Sequence, residues 1–245
     1  MRALILGGTA HARQVAQLLK DAGWRVTSSL AGRVKNPKLP VGEVRIGGFG
    51  GPAGLARYLI DEAIEVVIDA THPFAERISV SAAEATRAVG VPLIALHRPG
   101  WSEGPGDKWI RVDSMQEAAQ RVARDYHHIF LTIGRQQLAP FAADEHNLYV
   151  IRCVDPPRVE LPARHRLIYS RGPFSVDEEK RLMRGNQIDC LVTKDSGGEM
   201  TRPKLDAARA LGIDVVMVNR PTLPGGSRIT VVSTPAEALE AIDKL

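Results

Sequence analysis

Cysteine is scarce in this sequence of 245 residues: Cys153 and Cys190 are the two, each inside an apolar run, YVIRCV and DCLV. Neither has a partner at metal-ligand spacing, so a structural metal site and a disulfide scaffold are both excluded. Two buried thiols in a reducing compartment are expected instead. Aromatic residues make up only 5% of the chain and are not interleaved with a Lys/Arg run, which argues against a nucleic-acid surface. The charge imbalance is small, 32 basic against 28 acidic residues for a net +4, and suits a small anionic ligand better than a polyanion. No apolar run approaches the roughly 18 residues that a membrane helix needs. The opening MRALILGG reads as a strand without a basic, then apolar, leader, so no membrane partner is expected and cytoplasmic residence is the default.

What is present is an alternation. Short runs of Val, Ile and Leu alternate with Ala-rich segments of helical period, the pattern of parallel strands covered by helices on both faces. The fold class is therefore α/β, with two small Rossmann-like domains of mostly parallel sheet. The first half reads as strands at 3–6, 24–28, 43–47, 66–70 and 92–96, with helices at 10–22, 52–61 and 76–89. The segment RPGWSEGPGDK, with two prolines and three glycines, continues neither element type and is read as a linker over 98–107. The domains are accordingly expected at 1–97 and 108–245, with the last strand and helix, 228–245, able to pack on either. Strands at 109–112, 128–133, 148–154, 166–170, 190–193, 214–218 and 228–232 follow, with helices at 114–125, 176–184, 199–211 and 235–245. WIRVDSMQEAAQRV and RITVVSTPAEALEAI share one grammar of strand, hydroxyl cap, acidic residue and Ala-rich helix. Two instances of so common a pattern are weak evidence for duplication.

Gly7, Gly8 and Thr9 sit between the first strand and its helix, where exposed N–H groups and the positive helix end can receive a pyrophosphate. The third glycine of a full G-x-G-x-x-G fingerprint is missing, so an ordinary tight turn is the competing reading. The second strand ends in TSSLAGR, about 20 residues on, where NAD-binding folds carry Asp or Glu. No carboxylate stands there. Ser28, Ser29 and Arg33 would welcome a 2′-phosphate, which makes NADPH the expected cofactor. Gly47, in IGGFGG, can let backbone approach the adenosine, while Thr71 and His72, in DATHPFA, would line the nicotinamide or substrate side. His72 is a candidate catalytic group or, since it precedes Pro73, a cap on the next helix.

In the second half, Arg98, Arg135, Arg171 and Arg220 each follow a strand's C-terminal end and could grip carboxylates. In TKDSGGEMTRPK, Ser196, Gly197 and Gly198 form a second glycine turn before a helix. Lys194 and Asp195 are candidate proton donors, or else pair with one another or cap the helix. No Tyr-x-x-x-Lys pair exists among the four tyrosines, which disfavours a sugar reductase or epimerase.

GGTAHAR, DATHPFA and TKDSGG, with Thr201, Lys204 and VVMVNRP beyond, resemble the precorrin-6A reductase family over nearly the whole chain. The resemblance implies NADPH-dependent reduction of one macrocycle double bond of precorrin-6A, giving precorrin-6B in cobalamin synthesis, at a cleft between two Rossmann-like domains. It implies a tetrapyrrole substrate whose acetate and propionate arms suit the arginines, and transient contact with neighbouring pathway enzymes. The family often has Glu where His11 stands here. The motifs do not separate this activity from the cobalt-precorrin counterpart, and a non-catalytic NADP-sensing protein is the alternative outside the enzymes.

Overall fold

The computed structural model describes residues 1–32, 36–225 and 229–245. The chain divides into two units, the first made of Met1–Pro99 with Pro221–Leu245, the second of Gly100–Arg220. The first segment runs β1 (Arg2–Leu6), α1 (Ala10–Asp21), β2 (Arg25–Leu30), β3 (Glu43–Ile46), α2 (Pro52–Asp61), β4 (Val66–Asp69), α3 (Glu76–Val89) and β5 (Leu93–Leu96). The second unit opens with β6 (Trp109–Val112), α4 (Met115–Asp125), β7 (His128–Leu131) and a short 3-10 turn at Ala139–Phe141. It continues with β8 (Leu148–Cys153), β9 (His165–Tyr169), α5 (Val176–Gly185) and β10 (Cys190–Lys194). A 3-10 turn at Glu199–Thr201 then leads into α6 (Pro203–Leu211) and β11 (Asp214–Val218). The chain returns to the first unit with β12 (Ile229–Val232) and α7 (Pro235–Ile242).

Each unit is built on a six-stranded sheet, in the orders β12-β5-β4-β1-β2-β3 and β6-β11-β10-β7-β8-β9. All ten strand pairings are parallel. Parallel strands buried on both faces must be apolar at every position, and β1 shows why the sequence reads as a continuous run. Ala3 and Ile5 pack with Val15 and Leu19 of α1 and Ala238 and Ile242 of α7. Leu4 and Leu6 point the other way, onto Leu55 and Leu59 of α2 and Ala82 and Ala85 of α3. In the second unit Phe130, Leu191, Val215 and Met217 of the strands bury Met183 of α5 and Leu205 and Ala208 of α6.

The place of the C-terminal strand and helix, open in the sequence, follows from these pairings. Residues 221–245 belong to the first unit, because β12 extends its sheet beyond β5 with Ile229 opposite Leu93 and Val232 opposite Leu96. The two segments of shared grammar thus occupy equivalent places: β6 pairs with β11 at the edge of one sheet, and β12 pairs with β5 at the matching edge of the other. Their caps match in detail. Ser114 Oγ accepts from Glu117 N while Glu117 Oε2 accepts from Asp113 N, and Thr234 Oγ1 accepts from Glu237 N while Glu237 Oε2 accepts from Ser233 N. The helix expected from residue 199 begins at Pro203, whose fixed φ and missing N–H suit the first helical position.

Candidate functional site

In an open parallel sheet, ligands sit beyond the strand C-termini where the strand order reverses. In the first sheet that point lies between β1 and β4, and it is here that Gly7, Gly8 and Thr9 meet the loop after β4. Gly8 adopts φ +111, a conformation that side chains rarely take, with open space where a Cβ would be. Thr9 caps α1: its Oγ1 accepts from Ala12 N at 3.1 Å and donates to the Ala70 carbonyl at 2.7 Å, tying the two loops together. The result is a glycine turn at the start of a 12-residue helix, a backbone cradle suited to a pyrophosphate.

The loop after β4 is ordered by Asp69, which the sequence reading passed over. Its Oδ1 accepts from Thr71 N at 3.1 Å and Thr71 Oγ1 at 2.6 Å. His72 Nδ1 accepts from Phe74 N at 3.2 Å within the loop; it does not cap α3, whose N-cap residue is Ala75. His11, in the first turn of α1, is held below the usual imidazole range by burial and then by Arg98.

At the end of β2 the expected hydroxyls are covered. Ser28 is buried, and its Oγ has no hydrogen-bond partner among the described residues. Ser29 is buried too, and its Oγ accepts from Arg45 Nη1 at 2.9 Å. Arg33 lies outside the described residues. The cation at this rim is Arg45 of β3, opposite Ser29 in register, and it was missed because EVRI reads only as a strand. Its Nη1 also donates to the Gly47 carbonyl and its Nη2 to the Gly48 carbonyl, both at 3.0 Å. The guanidinium carbon stands 3.8 Å from the centroid of the Phe49 ring. Gly47 has φ +122, and its N–H donates to the Leu30 carbonyl at 2.8 Å.

The second sheet reverses between β7 and β10. Lys194, at the end of β10, spans that point: its Nζ donates to Gln137 Oε1, beyond β7, at 3.1 Å. Asp195 is an anchor. Its Oδ1 accepts from Trp101 N at 2.9 Å, its Oδ2 from Arg111 Nη1 at 3.2 Å, and its carbonyl from Arg220 Nε at 2.6 Å. A Cβ on Gly100 would lie 2.8 Å from Asp195 Oδ2, which accounts for that glycine. Ser196 is buried, and Gly197 and Gly198 take φ +53 and +122 before the 3-10 turn that separates them from α6. Arg135 Nη1 donates to the Pro156 carbonyl at 3.2 Å and lies 3.9 Å from Asp155. Arg171 is exposed after β9, and Arg220 is mostly buried, its guanidinium lowered by burial against the opposing pull of Asp195.

Deeper in this unit is a charged group that the sequence did not announce. Arg152 of β8 pairs with Glu179 of α5 at 2.8 Å, both buried, and stacks 3.8 Å from the Phe174 centroid. Lys204 of α6 is buried with Nζ 5.2 Å from the centroid of the Trp101 ring. Burial lowers it to about 7, Arg152 and Lys194 push the same way, and Glu179 opposes them.

Two doubly wound parallel sheets, the first with a glycine turn at its switch point, define a Rossmann-like α/β protein. The family model "Precorrin-6x reductase CbiJ/CobK" matches residues 2–243. The chain belongs to this family, and so to the oxidoreductases. It is 50% identical over 224 residues to "Precorrin-6A reductase" of Rhodococcus erythropolis, covering 91% of this chain and 90% of that protein. "Cobalt-precorrin-6A reductase" of Priestia megaterium is 30% identical over 253 residues, covering 98% and 97%. The solved structure "CobK precorrin-6A reductase" superposes with a TM-score of 0.92 at 38% identity, covering 100% of this chain and 96% of the other.

Proposed function

We propose that the protein is an NADPH-dependent precorrin-6A reductase that saturates one double bond of the macrocycle to give precorrin-6B. Family membership carries the reaction class. The observation that carries the cofactor reading is the glycine turn at the β1/β4 switch point, with Gly8 at φ +111 and α1 opening behind it. The cobalt-free substrate is preferred because identity is 50% to the relative named for it and 30% to the one named for the cobalt form.

When bound, the cofactor supplies hydride. In this reading Gly7, Gly8 and Thr9 hold its pyrophosphate, Gly47 lets the backbone lie against the adenosine, and Thr71 and His72 border the reactive end. The lack of a carboxylate at the end of β2 favours the phosphorylated form. Arg135, Arg171 and Arg220, with Ser196, Gly197 and Gly198, face the substrate's carboxylate arms. A proton must reach the atom next to the one that receives hydride, and Lys194 or a water beside it is the proposed source. Asp195 is left out of that role, since both its oxygens already accept hydrogen bonds, from Trp101 N and Arg111 Nη1. Positioning of donor and acceptor then does most of the work. The two buried free thiols fit cytoplasmic residence, which is part of the proposal; no described helix is long and apolar enough to cross a membrane.

The test is oxidation of NADPH at 340 nm with purified protein and precorrin-6A, NADH being run in parallel. Turnover with NADPH and little with NADH is expected. NADPH binding without oxidation would favour a sensor, and equal use of NADH would remove the phosphate argument.

A further inference from the structure

We infer that Arg45, clamped between Ser29 and Phe49, selects the cofactor by its 2′-phosphate. This rests on the reading that the first sheet's switch point holds NADPH, and it deepens that reading by naming the residue.

Four observations carry it. First, Arg45 stands at the right rim. Gly7 N donates to the Ser29 carbonyl at 3.0 Å, and Ser29 is paired in turn with Arg45, so the glycine turn, Ser29 and Arg45 lie on three adjacent strands, β1, β2 and β3. A ribose reaching from a pyrophosphate at the turn toward the end of β2 meets this corner, where a carboxylate selects NAD and an arginine NADP.

Second, the guanidinium is held rigid. Ser29 Oγ, the Gly47 and Gly48 carbonyls and the Phe49 face fix its plane from four sides, with the Tyr58 ring centroid at 5.2 Å as a further wall. A fork fixed beforehand loses little entropy when it takes up an anion. Third, its charge is uncompensated. All its protein acceptors are one hydroxyl and two carbonyls, and no carboxylate is within ion-pair distance among the described residues. Of its five N–H donors, three are used, which leaves Nε–H and one Nη2–H for a ligand.

Fourth, the buried Ser29 hydroxyl that accepts from Arg45 keeps its own proton to donate. A dianionic phosphate seated on Arg45 would find that donor beside it. The bland alternative is a strut: Arg45 would only hold the Gly47–Gly48 turn in shape. The two differ in what they predict for ligands that share an adenosine but differ at the 2′ position.

The experiment is titration calorimetry of the full chain with adenosine 2′,5′-bisphosphate and with ADP, for wild type, Arg45→Ala, Arg45→Gln and Arg33→Ala. Melting curves confirm that each variant is folded. Charge-assisted hydrogen bonds of this kind correspond to about tenfold to a hundredfold in affinity. Arg45→Ala and Arg45→Gln should therefore weaken the bisphosphate at least tenfold while changing ADP about twofold or less. Equal weakening of both ligands shows a strut and overturns the inference. So does an unchanged preference in both Arg45 variants, particularly if Arg33→Ala abolishes it. A wild type that does not prefer the bisphosphate over ADP would instead overturn the NADPH reading itself, and the inference with it.

Discussion

Lys204→Met offers a quantitative test of the buried charges in the second unit. Lys204 is 4% exposed in the first turn of α6, against the Trp101 ring and beside the Arg152–Glu179 pair. Burial brings its ammonium down to about 7 from an unfolded value of 10.5. Between those values the native side chain is neutral while the unfolded one is charged, so the unfolded state binds one more proton and stability rises with pH. The sign is that of a base with a depressed value: its penalty is full below the folded value and gone above the unfolded one. The slope is about 1.4 kcal/mol per pH unit, so from pH 8.0 to 9.5 the wild type should gain about 2 kcal/mol relative to Lys204→Met. Methionine keeps the apolar stem against Trp101 and removes the titration. Urea unfolding of both proteins at each pH measures the difference, from which other titrating groups cancel. A difference that stays flat across that range would show that Lys204 remains protonated in the fold, and the reasoning from burial would fail.

Other consequences are simpler. Glu179→Ala strands Arg152 among Phe130 and Phe174 and should cost about 3–5 kcal/mol in urea unfolding, the range for a buried ion pair robbed of one partner. Gly42 has φ +87 with a Cβ position 2.6 Å from the Val26 carbonyl oxygen, so Gly42→Ala should destabilise the fold by about 1–3 kcal/mol. Gly8→Ala meets open space but the same backbone strain, so it should weaken NADPH binding about tenfold or more, about 1.4 kcal/mol, with a smaller effect on melting. Asp195→Ala should lower stability and substrate turnover together, because Trp101 and Arg111 lose their acceptor and Arg220 its ion-pair partner, while no proton donor is removed.

Most elements were legible because each is a local matter. The strand runs are apolar at consecutive positions since both faces are covered, and α2 and α3 span the expected 52–61 and 76–89. Partnership is not local. Nothing in RITVV states whether it extends one parallel sheet or another, which is why the sequence leaves open which domain holds 228–245. The same double burial covers Ser28 and Ser29, which the sequence presents as a polar strand end, and Ser29 there meets Arg45. Arg45 was hidden for the complementary reason: one cation in a four-residue strand carries no signal until its register opposite Ser29 is known. Asp195 was read for chemistry because of its neighbours in TKDSGG, whereas its partners Trp101, Arg111 and Arg220 are distant in sequence. The correspondence of β6–α4 with β12–α7 was visible as repeated grammar, and only the sheet orders give it an architectural meaning.

The decisive measurement is to incubate the protein with precorrin-6A and NADPH and follow both absorbance at 340 nm and the mass of the macrocycle, with cobalt-precorrin-6A alongside. Stoichiometric NADPH oxidation and a gain of two hydrogens by the cobalt-free substrate are expected, with slower turnover of the cobalt form. Bound NADPH that stays unoxidised while both macrocycles keep their mass would contradict the proposed function.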